Sequence, residues 1–360
     1  MAAVPGARQL VLADRCYRLL LLAYPARFRR AYAHEMAQTF RAACRETLHT
    51  EGNWGLARLC GYTLCDLVTT SLKEHGQMLF FRLKRLFGKQ SLVFSPDGLD
   101  TMLLTTPLRL QVAQHTDIGC KRSRNEDNLI AVLPEDPQTL RNKGALFVVA
   151  DGMGGHSHGE RASELAVSTL RESYYRNKEE DIGLSLVQAI REANALIYAE
   201  NISRVDASDP TSGMGTTCVA AVLQEKSLVV ANVGDSRVYV VHDGQIRQVS
   251  QDHSLVADMV RAGLLTPDQA NCHEQRNIIY RALGIEPDVE VDVFEEAVEE
   301  GDALILCTDG LSGLVAEEEM LQIVETYQPE ESVRQLIARA NAAGGPDNIT
   351  AIVVRVDERA

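Results

Sequence analysis

The sequence predicts an α+β protein in which a largely antiparallel sheet core is packed with helices and preceded by an all-α N-terminal region. Three observations lead there. From about residue 109 onward, short β-rich runs end in Gly and Asp; between them lie long stretches with helical apolar spacing; and residues 8–50 carry apolar positions only at helical spacing.

In chain order, Leu12, Cys16, Leu19 and Leu20, then Phe28, Tyr32, Met36 and Phe40, mark two helices separated by Pro25. After the Gly52 to Gly55 break, Leu56, Leu59, Tyr62, Leu64, Leu67, Val68 and Leu72 mark a third, running toward a basic segment at 77–89. Residues 91–108 hold Pro96, Gly98 and Pro107 without steady periodicity and read as a linker, so the expected divisions are 1–90, 91–108 and 109–357. Strands are expected over Ala145–Ala150, Cys218–Leu223, Ser227–Val233, Ser236–His242, Gln245–Val249, Ala303–Cys307 and Ile349–Val356. Asp243-Gly244 tolerates positive φ and predicts a tight hairpin. Helices are expected over 159–176, 182–204, 317–327 and 331–343.

The 360 residues are 45% hydrophobic and 24% charged, the balance of a globular protein with a sizeable core. A net charge of −14 conceals an asymmetry: 14 Lys/Arg stand against 6 Asp/Glu in residues 1–90, and 22 against 44 thereafter. An acidic second part excludes nucleic acid as its substrate, because phosphate neutralisation supplies the sequence-independent share of such affinity. It suits divalent cations. Eight cysteines form no CxxC pair and no zinc or disulfide spacing, so a reducing cytosol is the expected setting. No stretch of about 18 uncharged apolar residues exists, which predicts neither a spanning helix nor a secretory signal.

Three apolar runs end in an acid at a Gly-rich turn: Asp151-Gly152, Gly234-Asp235 and Asp309-Gly310. A strand fixes each carboxylate, and the neighbouring Gly lets backbone or solvent approach closely. Asp347-Asn348 precedes the last strand, and Asn125-Glu126-Asp127 precedes the first apolar run of the domain. Singly, each is an ordinary turn. Hard oxygen ligands collected from several strand ends are, however, what Mg²⁺ and Mn²⁺ prefer.

The order and surroundings of these acids resemble the bacterial branch of the metal-dependent protein phosphatase (PPM, type 2C) family over about 109–357. The matching stretches are Thr116 to Asp127, Ala150 to His156, Gly213 to Thr217, Gly234 to Arg237, Cys307 to Gly310 and Gly345 to Asn348. The resemblance implies a four-layer α/β/β/α sandwich with a metal site at one end of the two sheets. It implies that Asp151 bridges two Mn²⁺ or Mg²⁺ ions and that the Gly152 carbonyl binds one of them. Asp309 and Asp347 would hold one ion, and Glu126 and Asp127 would complete the shells directly or through water. Asp235, with Asp309, matches a third, weaker metal position. The implied reaction is hydrolysis of phosphoserine and phosphothreonine by hydroxide bridging the two ions. Arg122, otherwise a solvated basic turn beside Lys121 and Arg124, takes the place of a phosphate-binding arginine.

One position departs from the eukaryotic branch, where a His after Asp-Gly acts as general acid: here it is Met153, which leaves the proton donor unassigned. His156 and His158 open an expected helix, and a polar helix-start role suits them. Thr216 and Thr217 are expected only to form a turn and pack. Residues 251–283 resemble the family's flap beside the active site.

Phosphorylated proteins are therefore the expected partners, as substrates of a bacterial Ser/Thr kinase or the kinase itself. A catalytically silent binding module and a hydrolase of small phosphate esters are the alternatives; retention of Asp127, Asp151, Asp309 and Asp347 favours activity. Leu22 to Arg41 resembles a helical region at the N-terminus of some bacterial multi-spanning permeases. With the apolar and basic residues of 77–89, it makes residues 1–90 a candidate for peripheral attachment to a membrane or permease complex. The expected location is cytoplasmic, at the inner face of the membrane if so attached. The bland reading of 77–89 is a packed helix with its Lys and Arg in solvent.

Overall fold

The computed structural model describes residues 109–154, 158–204 and 213–357. The helical extension and linker expected over 1–108 lie outside the described residues, as does His156.

Strand β1 (Arg109–Asp117) leads through the Glu126-Asp127 turn to β2 (Asn128–Val132), helix α1 (Pro137–Lys143), β3 (Ala145–Ala150) and the short β4 (Gly152–Met153). Two long helices follow, α2 (His158–Arg176) and α3 (Ile182–Arg204). Next come β5 (Gly215–Thr216), β6 (Cys218–Gln224), β7 (Ser227–Val233), β8 (Arg237–His242) and β9 (Gln245–Gln248). The segment read as a flap contains α4 (Leu255–Arg261) and α5 (Pro267–Asn271); β10 (Asp292–Ala297) and β11 (Ala303–Cys307) come after it. The chain closes with α6 (Asp309–Ser312), α7 (Glu317–Thr326), α8 (Pro329–Ala342) and β12 (Ile349–Asp357).

Two five-stranded sheets result, with orders β1-β12-β11-β8-β9 and β10-β7-β6-β3-β2, and every neighbouring pair is antiparallel. Side chains alternate between faces along a strand, so β3 presents Phe147 and Val149 to one side and Leu146 and Val148 to the other. Phe147 and Val149 meet Val238, Leu304 and Ile352 of the opposite sheet in the central core. Leu146 and Val148 pack under Leu170 and Tyr174 of α2 and Leu186 and Ile190 of α3. On the far side, Tyr239, Ile305 and Val353 are covered by Met320 of α7 and Leu336 of α8. The order helices, sheet, sheet, helices is the four-layer α/β/β/α sandwich. Strands covered on both faces lose any polar alternation, which is why β3, β6, β7, β11 and β12 read as continuous apolar runs.

The expected hairpin forms between β8 and β9, with Asp243 at φ 47° and Gly244 at φ 69°, the left-handed pair that matches strand twist. Asp136 caps α1 by accepting the Thr139 N–H at 2.8 Å, and Pro137 opens that helix. Among the described residues no helix is long and apolar enough to cross a membrane. The four described cysteines, Cys120, Cys218, Cys272 and Cys307, are free thiols.

Phe147 is fully buried between the sheets. Truncation in Phe147→Ala is expected to cost about 3–5 kcal/mol in chemical denaturation, because both sheets are too rigid to collapse onto the cavity.

Candidate metal centre

The acids picked out in the sequence come from both sheets to one pole of the sandwich. Asp127 precedes β2 and Asp151 follows β3; Asp235 sits in the β7–β8 turn, Asp309 follows β11, and Asp347 precedes β12. Asp151 lies in mutual repulsion with Asp127, Asp309, Asp235 and Asp347. Loss of solvent, then like charge, drives Asp151 well above the ordinary carboxylate range. Burial likewise pushes Asp235 up to about 8, reinforced by Asp309 and Asp252. Asp127 is raised to about 7 by burial, against the opposing hydrogen bonds of Thr350 and Thr308.

Hydroxyls fix the acids from behind. Thr308 and Thr350 donate to Asp127 Oδ2 at 2.9 and 2.7 Å, and Thr350 Oγ1 lies 2.7 Å from Thr116 Oγ1. The pairing of β11 with β12 places these two threonines side by side. Thr217 grips Asp151 twice, its N–H donating to the Asp151 carbonyl at 2.9 Å and its Oγ1 accepting the Asp151 N–H at 3.0 Å. Thr216 Oγ1 donates to the same carbonyl at 2.8 Å, so both threonines do more than the turn formation and packing expected of them. Asn348 stitches the loops together: its side chain accepts the Glu126 N–H and donates to the carbonyls of Ile118 and Arg124. None of these supports carries a charge; all but Thr350 fall within the stretches that resemble the family, but the resemblance gives them no role.

Gly152 accounts for the residue after Asp151. A Cβ there would lie 2.2 Å from the Gly159 carbonyl oxygen and 2.4 Å from that of Glu126, so only glycine admits the crossing of three backbones. Met153 continues as β4, paired with Gly215 of β5. His158 begins α2, as expected of it.

At the rim, Arg122 Nη2 donates to Asp347 Oδ2 at 2.7 Å, with the guanidinium half exposed. The Asp347 hydrogen bond raises Arg122 further, and Glu126 and Asp151 lie within its field. Glu126 is partly buried beside the start of α2, close to Gly159 and Glu160. Burial raises it, while Arg122 pulls the other way. Behind Asp235, the buried Asp252 carboxylate takes three hydrogen bonds from the Arg237 guanidinium, which also reaches Tyr239. That pairing anchors the β8 side of the turn.

Two oxygens of the floor, Asp127 Oδ1 and Asp309 Oδ1, are buried without a hydrogen-bond partner. Buried carboxylate oxygens without donors are costly unless a cation meets them. Among the described residues no three of these acids are drawn around a single point; Asp347 instead holds Arg122, and Asp127 Oδ2 holds its two threonines. The donor set is nonetheless all hard oxygen, and two of its oxygens are buried without donors, so the chemistry of the residues fits Mn²⁺ or Mg²⁺.

The family model described as Protein phosphatase 2C matches residues 136–351. The serine/threonine phosphatase stp of Listeria monocytogenes serotype 4b is 40% identical over 247 residues, covering 67% of this chain and 94% of that protein. The crystal structure of the Mycobacterium tuberculosis serine/threonine phosphatase PstP/Ppp superposes with a TM-score of 0.61 at 35% identity, covering 69% of this chain and 99% of that one. A structure of the PstP catalytic domain in complex with two manganese ions superposes with a TM-score of 0.60 at 35% identity, covering 69% and 99%. The chain belongs to the protein phosphatase 2C family.

Thr350→Val keeps the shape of β12 and removes one donor to Asp127. Titration calorimetry is expected to show Mn²⁺ affinity lower by roughly tenfold, the usual consequence of losing a group that orients a metal acid. An unaltered affinity would separate Asp127 from the metal centre.

Proposed function

We propose that residues 109–357 form a divalent-metal-dependent phosphatase that hydrolyses phosphoserine and phosphothreonine in proteins. The observation that carries this reading is the convergence of Asp127, Asp151, Asp235, Asp309 and Asp347 from both sheets on one pole, with Arg122 standing over it. The relatives named as serine/threonine phosphatases and the manganese-bound structure of one of them support it.

Asp151, Asp309 and Asp347, with the Gly152 carbonyl, would hold two ions; Asp127 and Glu126 would act on them directly or through water, and Asp235 with Asp309 would offer the weaker third position. When bound, the ions supply Lewis acidity, acidifying water and drawing off phosphoryl charge. Arg122 presents a planar fork suited to two phosphoryl oxygens. Its present partner is Asp347, so a bound phosphoryl group shares the guanidinium with that carboxylate. Thr216, Thr217, Thr308 and Thr350 keep Asp151 and Asp127 in place without adding charge to a crowded floor. In-line attack by water oxygen on phosphorus breaks the bond to the serine or threonine oxygen, which leaves as the alcohol after taking a proton. Met153 has no proton to give, so water is the donor in this reading.

Substrates of a bacterial Ser/Thr kinase, or the kinase itself, suit such an enzyme as partners. The excess of Lys and Arg in residues 1–90 and the basic, apolar composition of 77–89 support a cytoplasmic enzyme attached peripherally to the inner face of the membrane or to a permease complex.

Hydrolysis of a phosphothreonine peptide should require Mn²⁺ or Mg²⁺, stop with EDTA, and fall at least about a hundredfold in Asp151→Asn and Asp309→Asn. No turnover by folded, Mn²⁺-loaded wild type would point to a silent binding module. Faster turnover of a nucleotide monoester than of the phosphopeptide would make the chain a small-ester hydrolase.

A further inference from the structure

His253 takes no part in the reaction described above, yet it is buried at 2% exposure and holds both polar atoms of one residue beside the metal centre. Its backbone N–H donates to the Gly234 carbonyl at 2.9 Å, and its ring Nδ1 accepts the Gly234 N–H at 3.0 Å. Gly234 lies at φ +109°, and a Cβ there would sit 2.6 Å from Thr217 Cβ, so the turn is wedged between Thr217 and the imidazole. The next residue is Asp235.

Accepting an N–H leaves Nδ1 bare, which puts the ring proton on Nε2, 3.1 Å from Asp292 Oδ2. Asp292 is secured in turn by Arg281, whose Nη1 donates to Asp292 Oδ1 at 2.8 Å; the 3.0 Å approach of that nitrogen to Nε2 is donor against donor, so Arg281 acts on the ring through the carboxylate. Arg281 ends the stretch that returns from the flap. Within it the Tyr280 N–H donates to the His253 carbonyl at 3.0 Å, and Ile278 accepts the Leu255 N–H at 3.0 Å.

We propose that His253 is a positioning residue: by clamping Gly234 it aims the Asp235 carboxylate at the metal centre, and through Asp292 and Arg281 it couples that aim to residues 278–281 of the flap. The inference rests on the divalent-metal reading of the site. A charge is not required at the ring; what matters is which nitrogen accepts and which donates, as with the outer partners that orient metal ligands.

The test uses the whole 360-residue chain and Mn²⁺ alone as ligand. His253→Phe keeps ring volume and removes the acceptor. Calorimetric Mn²⁺ binding without substrate is expected to weaken by roughly tenfold or more, with faster amide exchange at Gly234; in the wild type, ring ¹⁵N shifts should mark Nδ1 as bare and Nε2 as protonated. Unchanged Mn²⁺ affinity in folded His253→Phe overturns the proposal. If that variant does not fold, Asp292→Asn decides: lowered Mn²⁺ affinity upholds the coupling, and wild-type affinity sinks it. Lowered Mn²⁺ affinity in a chain whose wild type hydrolyses no phosphopeptide would overturn the phosphatase reading and leave this one standing.

Discussion

Like charges crowd the pole shared by the two sheets, and the surrounding structure is arranged around that crowding. Two carboxylates about 4 Å apart repel by about 4 kcal/mol at the effective dielectric of a protein surface, and more where solvent is thinner. Asp151 lies within the fields of four other carboxylates, those of Asp127, Asp309, Asp235 and Asp347. Protons or cations must share the site, and the raised affinity of Asp127, Asp151, Asp235 and Asp309 for protons is the same property that makes the pole attractive to a divalent ion.

Holding such a cluster requires stiffness without further charge. The two sheets provide it: Asp151, Asp235, Asp309 and Asp347 adjoin β3, β7, β11 and β12, whose interiors are packed, with Phe147, Leu304 and Ile352 among the buried side chains behind them. Neutral hydroxyls and amides finish the placement. Thr217 ties the β3 end to Ser236 in the β7–β8 turn, with the two hydroxyls 2.7 Å apart, and Asn348 ties the first loop of the domain to its last. The Arg122 guanidinium stays at the rim, half exposed, where a ligand can compete for it. Arg237, by contrast, is spent entirely on Asp252 and Tyr239 and anchors rather than binds.

Much of this was legible in the sequence, for physical reasons that also set the boundary of what was not. Strands buried on both faces announce themselves as apolar runs, and the acids at their ends stand out against the following glycines. β1 and β10 escaped notice because they are edge strands with partial exposure, where Gln111, His115, Glu295 and Glu296 dilute the pattern. The short α1, α4 and α5 have too few turns for periodicity to emerge. Among site residues, Asp127 and Asp309 could be named, but not the threonines that hold Asp127, since Thr308 and Thr350 meet only through the register of β11 and β12. Glu126 sits beside the start of α2 at the rim, a position its place in the loop before β2 does not reveal. His253 carried no distinguishing spacing; its importance follows from where the flap returns to the sheet.

The pairing of β1 with β12 joins the first and last strands of the domain, Arg109 opposite Asp357 and Asp117 opposite Ile349. β12 is also an inner strand, flanked by β1 and β11, and the loop before it carries Asp347 and Asn348. Without β12, therefore, β1 has no strand to pair with and Asp127 keeps only one of its two hydroxyl donors, Thr308. Docking of β12 closes the sheet and completes the site in one event, and the acids adjoining β2, β3, β7 and β11 all precede it in the chain.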